Sequence, residues 1–488
     1  MSKIFLQIFG KKNREYLILS MIVFTGFLLR VYKLDSPLAD WHSFRQADTS
    51  SVTRVYLEDG INLLYPRYHD LSSTQSGKDN LLGLRFVEFP LYNLAHYLIA
   101  VIFPFFNLEE AGRLTSILAS LWSLFFIYLI CKKIYNKKVA ILASLFFAIL
   151  PFNIYFSRTI LPEPLAILLA LMAIFSFILF LEQEKLLYLF LGSLAFASSL
   201  LVKPFTIFYA APIIYLAIRK YLLIRKYTIG LLLRQKTFWL SLFLTLAPLF
   251  LWRIWILQHP EAIPRISWMF NEGSIRFRPA FFRWIFGERI GLLILGMWGL
   301  VPFSLALTKI NKKTLFVIFW FLAEVLYLTI FAAVNVRHDY YQIYLLSPIS
   351  ILLSLGVVYL WEDNFFNKFA SRILVVFSVF MMLGMSAYQV KEFYKINHPE
   401  IIEAGRALDM LVPKDALVIA AYNGDTAFLY QTKRKGWPVV DDSFENLIKK
   451  GASFYISVNL NDPDTLYLSQ NFPVLKKTEK FIIIQLTR

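Results

Sequence analysis

The sequence predicts a multi-pass α-helical membrane protein of about eleven transmembrane helices, with a small α/β domain outside the membrane at its C-terminal end. Three observations predict it. Of 488 residues, 58% are hydrophobic and only 17% charged, far more apolar than a soluble protein of this size. The apolar residues fall in blocks of about 16 to 22, the length that crosses a hydrocarbon core of roughly 30 Å as helix. Beyond Gln389 the blocks give way to the mixed composition of a soluble module.

The first block, residues 15–31, follows Lys3, Lys11, Lys12 and Arg14. A secretory signal starts in the same way, but no small-residue cleavage site follows, so the block reads as a retained helix with a cytoplasmic N-terminus. The formal charge of +17 does not point to nucleic acid, because no soluble basic face or recognition module accompanies it. It is explained by topology. Lys132, Lys133, Lys137 and Lys138, then Arg219, Lys220, Arg225 and Lys226, then Lys309, Lys312 and Lys313 all fall in loops that the positive-inside rule places in the cytoplasm.

Counting spans between those loops gives helices near 16–32, 113–130, 139–156, 163–181, 186–203, 204–218, 238–256, 290–308, 314–335, 340–361 and 373–390. The break at Lys203-Pro204 divides a run too long for one untilted helix. An odd count places the C-terminus outside. Helix 113–130 must run inward to its basic loop, so the apolar run 89–106 begins and ends on the outer side and rests in the interface. Residues 33–112 then form one outer loop, with a helix over 49–59 closed by Gly60 and a second, aromatic-rich helix at headgroup depth. Residues 1–390 are expected to be the membrane domain and 391–488 an extracytoplasmic α/β domain with strands such as ALVIAAY, FYISV and FIIIQL. The lone Cys131, at a predicted cytoplasmic helix end, has no intrachain disulfide partner.

This topology sorts the polar residues onto one face. His42, Arg45, Asp48, Arg67, Asp70, Glu88, Arg158, Glu163, Lys203, His259, Arg265, Arg337 and His338 all fall on the outer side, several at helix ends where a cleft could open to both lipid and water. Each also has a plainer reading. Asp48, before Thr-Ser-Ser-Val, is equally suited to cap a helix or to accept a proton. Glu163 in LPEP opens a helix, where an acid stabilises the helix start. Lys203, between two short apolar helices, must either snorkel or meet an anion, and an anion is favoured. His338 in NVRHDYYQ, beside Tyr341, fits an ordinary aromatic belt.

Carboxylates, a few bases and a lateral opening suit transfer of a group from a lipid-linked phosphate. An apolar wall holds the polyprenyl chain, Lys and Arg hold the phosphate, and a carboxylate removes the proton from an incoming hydroxyl. A single displacement at the anomeric carbon inverts it. A transporter or flippase of lipid-linked sugars is the alternative, but its ionisable groups are expected at midplane on broken, repeat-related helices. A receptor or scaffold would leave the acids and Lys203 without a task.

The succession HSFRQADT, YLEDGINLLYPRYHD, VEFPLY, LPFNIYFSRTILPEPL and LLVKP resembles the glycosyltransferase family 39 and ArnT-like branch of the GT-C membrane glycosyltransferases, over roughly residues 16–350. The resemblance implies a polyprenyl-phosphate-linked sugar donor, a lipid, glycan or protein acceptor, and an active site on the outer face of the inner (plasma) membrane. Many relatives carry an Asp-Glu pair at the start of the first-loop helix, where this sequence has Arg45 and Gln46. In the RQAD-type pattern the acid lies three residues after that arginine, so the resemblance assigns the base to Asp48, with Asp40 as second choice. It assigns Glu163 to the family's second acidic site, Lys203 to its outer Lys-Pro position and Glu88 to the entry of the Pro-Leu-Tyr segment. His42, Arg45, Arg67, Arg158, Arg337, His338 and Tyr341 complete the expected donor or substrate site. No cofactor is implied with certainty, and a divalent cation is left open because oxygen ligands follow no tight spacing rule.

Overall fold

The computed structural model describes residues 11–362 and 367–486; Lys3 of the basic start lies outside them. The long elements are helices: α1 (Lys11–Arg30), α2 (Ser43–Asp59), α3 (Leu91–Ile102), α4 (Leu108–Ile134), α5 (Lys137–Ile149), α6 (Glu163–Gln183), α7 (Leu186–Val202), α8 (Pro204–Ile224), α9 (Lys236–Ile256), α10 (Arg283–Ile294), α11 (Leu300–Thr308), α12 (Thr314–Ile330), α13 (Asp339–Glu362) and α14 (Lys368–Tyr394). Six of these, α4, α6, α8, α9, α13 and α14, are long and apolar enough to cross a membrane, and α3, α7 and α12 are shorter apolar helices. Their apolar side chains divide between a shared interior and an outward surface. Ile127, Leu171, Val317 and Leu352 are fully enclosed, whereas Leu194, Phe243, Leu251 and Phe380 are each at least 66% exposed. Such apolar flanks are stable against lipid tails and costly against water.

Several expected spans are interrupted, each for an identifiable reason. The run 139–156 ends as a helix at Ile149 and restarts as the short turn Pro151–Phe156. Pro151 has no N–H, so the Phe147 carbonyl loses its helical partner. The Asn153 amide and buried Arg30 replace it: both donate to Phe147 O, the guanidinium at 3.3 Å, and Arg30 also donates to Ala148 O at 2.8 Å and to Ser157 Oγ at 2.7 Å, pinning α1 to the break. The run 290–308 is likewise not one helix. α10 is a wide π-type segment that stops at Ile294, and the chain turns through Gly296 at φ 46° and Met297 at φ 58° before α11. Gly296 is obligatory there, because a Cβ would lie 2.1 Å from Met382 O. The run 314–335 breaks at Phe331 into α12 and a turn over Ala332–Arg337. The break at Lys203-Pro204 falls where the sequence placed it.

The segment between α1 and α4 holds α2 and α3. α2 starts at Ser43, not at Thr49 as expected, and Gly60 closes it at φ 89°. Its start is set by His42 in a left-handed conformation with no side-chain cap, while Thr49 lies inside the helix and donates back to Arg45 O at 2.9 Å. Asp48 is therefore in the second turn and is not a cap.

The C-terminal region carries α15 (Glu400–Leu411), α16 (Thr426–Thr432), α17 (Phe444–Lys449) and α18 (Pro463–Asn471) around strands β1 (Leu417–Ala420), β2 (Gly436–Trp437), β3 (Ala452–Ser457), β4 (Val474–Lys477) and β5 (Ile482–Gln485). The sheet order is β2-β1-β3-β5-β4, parallel through β2, β1 and β3 and antiparallel at β5 and β4. Both faces of the central strands are covered, which explains the unbroken apolar runs LVIA and III. This sheet sits over the end of the helical bundle that carries α2, and the His69–Leu71 stretch of the first loop adds to its β2 edge, through Gly436 N to His69 O at 2.9 Å and Leu71 N to Gly436 O at 2.8 Å.

Candidate active site

α2 is the platform of the site. From Arg45 to Tyr56 every residue of it is buried, polar or not, because α3 covers one side and α16 of the C-terminal region covers another. Asn93 of α3 donates to Thr49 O at 2.7 Å. From α16, Tyr430 meets Ser50 Oγ at 2.9 Å and lies under the Arg54 guanidinium at 3.8 Å, and its hydroxyl donates to Glu109 at 2.5 Å. So many polar groups inside one helix are tolerable only because each finds a partner, the Thr49 hydroxyl within the helix and the others on neighbouring segments.

Along α2 runs a chain of alternating charges. Arg45 pairs with Glu88; Glu88 Oε1 lies 2.7 Å from Lys203 Nζ; and Lys203 Nζ lies 2.9 Å from Glu163 Oε1. Proline geometry puts Lys203 there: the chain turns out of α7 at Lys203, with φ −151° and ψ 110°, and so points the ammonium back at the first residue of α6, Glu163. Tyr341 backs the ammonium with its ring 5.4 Å away. Burial alone would push the Glu88 carboxyl up, but Arg45, Lys203 and Arg85 outweigh it and hold it at about 2. Glu88 is thus an anion held by two cations.

Asp48 is one turn further along the same helix. Its Oδ2 is 2.9 Å from the Arg85 guanidinium, and its Oδ1 accepts a 2.6 Å hydrogen bond from the Thr426 hydroxyl of α16. Two further acids flank it. Burial pushes Asp70 up to about 7 and Asp425 up to about 6, and the Asp48 charge adds to both. Arg85, Glu88, Thr49, Asn93 and Pro162 line a narrow cleft.

The remaining expected residues divide. His42 is in the site region, 2.6 Å from Asp339, which also accepts from the Trp41 indole at 3.1 Å; His338 packs edge-on to His42 at 5.5 Å. Asp40 and Arg158 are not on the cleft. Gln46 donates to Asp40 Oδ1 at 2.8 Å, and Arg158 approaches Oδ2 at 3.7 Å while donating to Lys33 O at 2.9 Å, so this group ties the end of α1 beneath α2. Arg67 is exposed and engaged through its backbone bridge to Leu84; alternation along the chain turns its buried neighbours Pro66 and Tyr68 to the opposite side. Arg337 is exposed too, paired with Glu272 and stacked on Trp268 at 5.1 Å. Among the described residues no group of three or more His, Cys, Asp or Glu is arranged to hold a metal ion.

Three participants escape the sequence reading. Arg85 was legible in LRFVEFP, three residues before Glu88, as a base beside an expected acid. Asp339 follows His338 directly. Thr426 gives no signal, because only the docking of the distant C-terminal region brings its hydroxyl to Asp48.

This architecture matches solved structures along nearly its whole length. ArnT from Cupriavidus metallidurans bound to undecaprenyl phosphate superposes with a TM-score of 0.68 at 11% identity, covering 98% of this chain and 99% of that one. The chain has the GT-C fold. The apo form of the same ArnT gives a TM-score of 0.64 at 13% identity and 97% coverage of each chain. The oligosaccharyltransferase of Archaeoglobus fulgidus in complex with zinc and sulfate gives 0.54 at 10% identity, with 90% of this chain over 67% of that one. Residues 90–255, about a third of the chain, match the profile of the dolichyl-phosphate-mannose-protein mannosyltransferase family. A search of curated protein sequences returned no match. The GT-C resemblance read from the sequence motifs and the multi-pass helical class with its C-terminal sheet are both upheld.

Proposed function

We propose that this GT-C protein is an inverting glycosyltransferase that moves a sugar from a polyprenyl-phosphate donor to a hydroxyl acceptor on the extracytoplasmic side of the plasma membrane. The observation that carries the proposal is the convergence of Arg45, Arg85 and Lys203 on Glu88 and Asp48 at one end of an apolar bundle. Three buried cations share the site with three carboxylates, Glu88, Asp48 and Glu163, so a second anion enters where one carboxylate gives way. Glu88 takes the part of that anion, and a donor phosphate binds by replacing it on Lys203 and Arg45. The match to an ArnT that holds undecaprenyl phosphate supports a lipid phosphate as the ligand.

Asp48 is the general base. The Thr426 hydroxyl donates to it at 2.6 Å, which is the contact an acceptor hydroxyl makes before giving up its proton. Arg85 on the other oxygen holds the carboxylate in place and aims it. The acceptor oxygen attacks the anomeric carbon, its proton passes to Asp48, and the carbon–phosphate-oxygen bond breaks with the electron pair leaving on the lipid phosphate. That leaving group needs no protonation while Lys203 and Arg45 stabilise its charge. The C-terminal region, which supplies Thr426, then lies over the acceptor entrance. Residues 1–390 form the catalytic membrane domain and 391–488 the extracytoplasmic domain.

The test is transfer of labelled sugar from a polyprenyl-phosphate donor to an acceptor fraction by the purified chain. Transfer supports the proposal. Movement of the lipid-linked sugar across proteoliposomes without acceptor, and with no transfer when acceptor is added, overturns it in favour of transport.

A further inference from the structure

Glu324 lies about three turns into α12, inside the bundle, and is fully buried. No basic group bears on it, and neither carboxyl oxygen has a hydrogen-bond partner among the described residues. An ionised carboxylate in such a place is prohibitively costly, so the group is a carboxylic acid with one O–H to donate.

It is not isolated. The Trp320 indole N–H, one turn away, is directed toward Glu324 yet makes no hydrogen bond of good geometry. The hydroxyls of Tyr327 and Tyr344, whose rings are 5.6 Å apart, are also buried without a hydrogen bond of good geometry, that of Tyr327 being directed toward Asn335. Tyr209 packs on Trp320 at 4.9 Å and donates to Tyr344 O at 2.8 Å, closing the patch from α8. Beyond it, Phe205 bridges Tyr327 and Tyr341 at 5.3 and 5.5 Å, and Tyr341 backs Lys203. Tyr327 and Tyr344 both lie within electrostatic reach of Glu163. Four residues thus bring buried polar atoms without a partner into one patch, and such groups are costly unless water reaches them.

We propose that this patch is an enclosed hydrated site in which Glu324 stands as a neutral acid and, through water and the hydroxyls of Tyr327 and Tyr344, braces the Glu163–Lys203 pair. Glu324 is then a positioning residue for Lys203. Its bearing on the donor rests on the reading of Lys203 as a phosphate ligand, whereas the hydrated acid itself does not.

Infrared difference spectroscopy on the full chain in detergent, wild type against Glu324→Gln, tests it without any ligand. The expected result is a protonated-carboxyl stretching band that shifts in D₂O, is absent from Glu324→Gln, and is displaced by both Glu163→Gln and Tyr344→Phe. Gln keeps the hydrogen-bonding capacity, so donor KM stays within about threefold, whereas Glu324→Leu raises it roughly five- to tenfold with kcat changed less. Absence of the band, or a band unmoved by Glu163→Gln and Tyr344→Phe, overturns the inference. Failure of the wild type to bind undecaprenyl phosphate would count against the donor reading alone, with the band still deciding the hydrated acid.

Discussion

Removing Lys203 is predicted to have two separable effects. Its ammonium lies 2.7 Å from Glu88 and 2.9 Å from Glu163, and Glu163 is fully buried. Lys203→Met keeps most of the stem but strips both carboxylates of a partner, and breaking a buried pair in this way costs about 3–5 kcal/mol. The variant should therefore unfold several degrees earlier. It should also bind donor more weakly by roughly 10- to 100-fold, the equivalent of a charged hydrogen bond of about 1.5–3 kcal/mol. Lys203→Met with Glu163→Gln removes the uncompensated charge and should recover most of the lost stability without recovering donor affinity. The assay pairs thermal unfolding with binding of undecaprenyl phosphate in detergent. Recovery of binding together with stability in the double variant would refute the assignment of Lys203 to the phosphate and leave it a purely structural ion pair.

Other perturbations follow from the same geometry. Glu88→Gln releases Arg45 and Lys203 from an internal competitor and should tighten undecaprenyl phosphate binding by roughly three- to tenfold; weaker binding would show that Glu88 itself holds the ligand. Asp425, raised to about 6 by burial and by Asp48, binds a proton in the folded chain that the unfolded chain has released between about pH 4 and pH 6. Stability should accordingly fall as pH rises through that window, and Asp425→Asn, which still caps α16 through Ala427 N, should flatten the slope and stabilise the chain at pH 7 by on the order of 2 kcal/mol. An unchanged slope in a pH series of unfolding curves would contradict this. Gly296→Ala should destabilise by more than about 2 kcal/mol, since its Cβ meets the Met382 carbonyl; wild-type unfolding would refute the close approach. A cysteine introduced near Asn423 should be labelled from outside the cell, and labelling only from the cytoplasm would reverse the topology.

Much of the fold is legible because hydropathy and proline act locally. The stop at Lys203-Pro204 and the closing Gly60 are backbone facts written in single residues, and the convergence of Glu88, Glu163 and Lys203 followed from placing helix ends on one face. What was not legible depends on tertiary contact. α2 reaches back to Ser43 because Gln46 and Arg45 find buried partners in Asp40 and Glu88, which no helix-start signal reports. The π-type turns of α10 and the reversal at Gly296 are set by packing against α14. Arg67 and Arg85 look equivalent in sequence, and only the bridge between Arg67 and Leu84 decides which guanidinium faces Asp48. Asp40 reads as a candidate base until Arg158 and Gln46 are seen to enclose it.

The central claim is that Asp48 takes the acceptor's proton, and Asp48→Asn measures it most directly. Because Asp48 lies in the second turn of α2, the substitution disturbs no helix cap; Asn still meets Thr426 and Arg85 through its amide but cannot hold a proton. Label transfer from donor to acceptor should drop by about 10²-fold or more while the variant folds and binds undecaprenyl phosphate as the wild type does. Near-normal transfer by Asp48→Asn, with loss instead in Asp40→Asn or Glu163→Gln, would contradict the account.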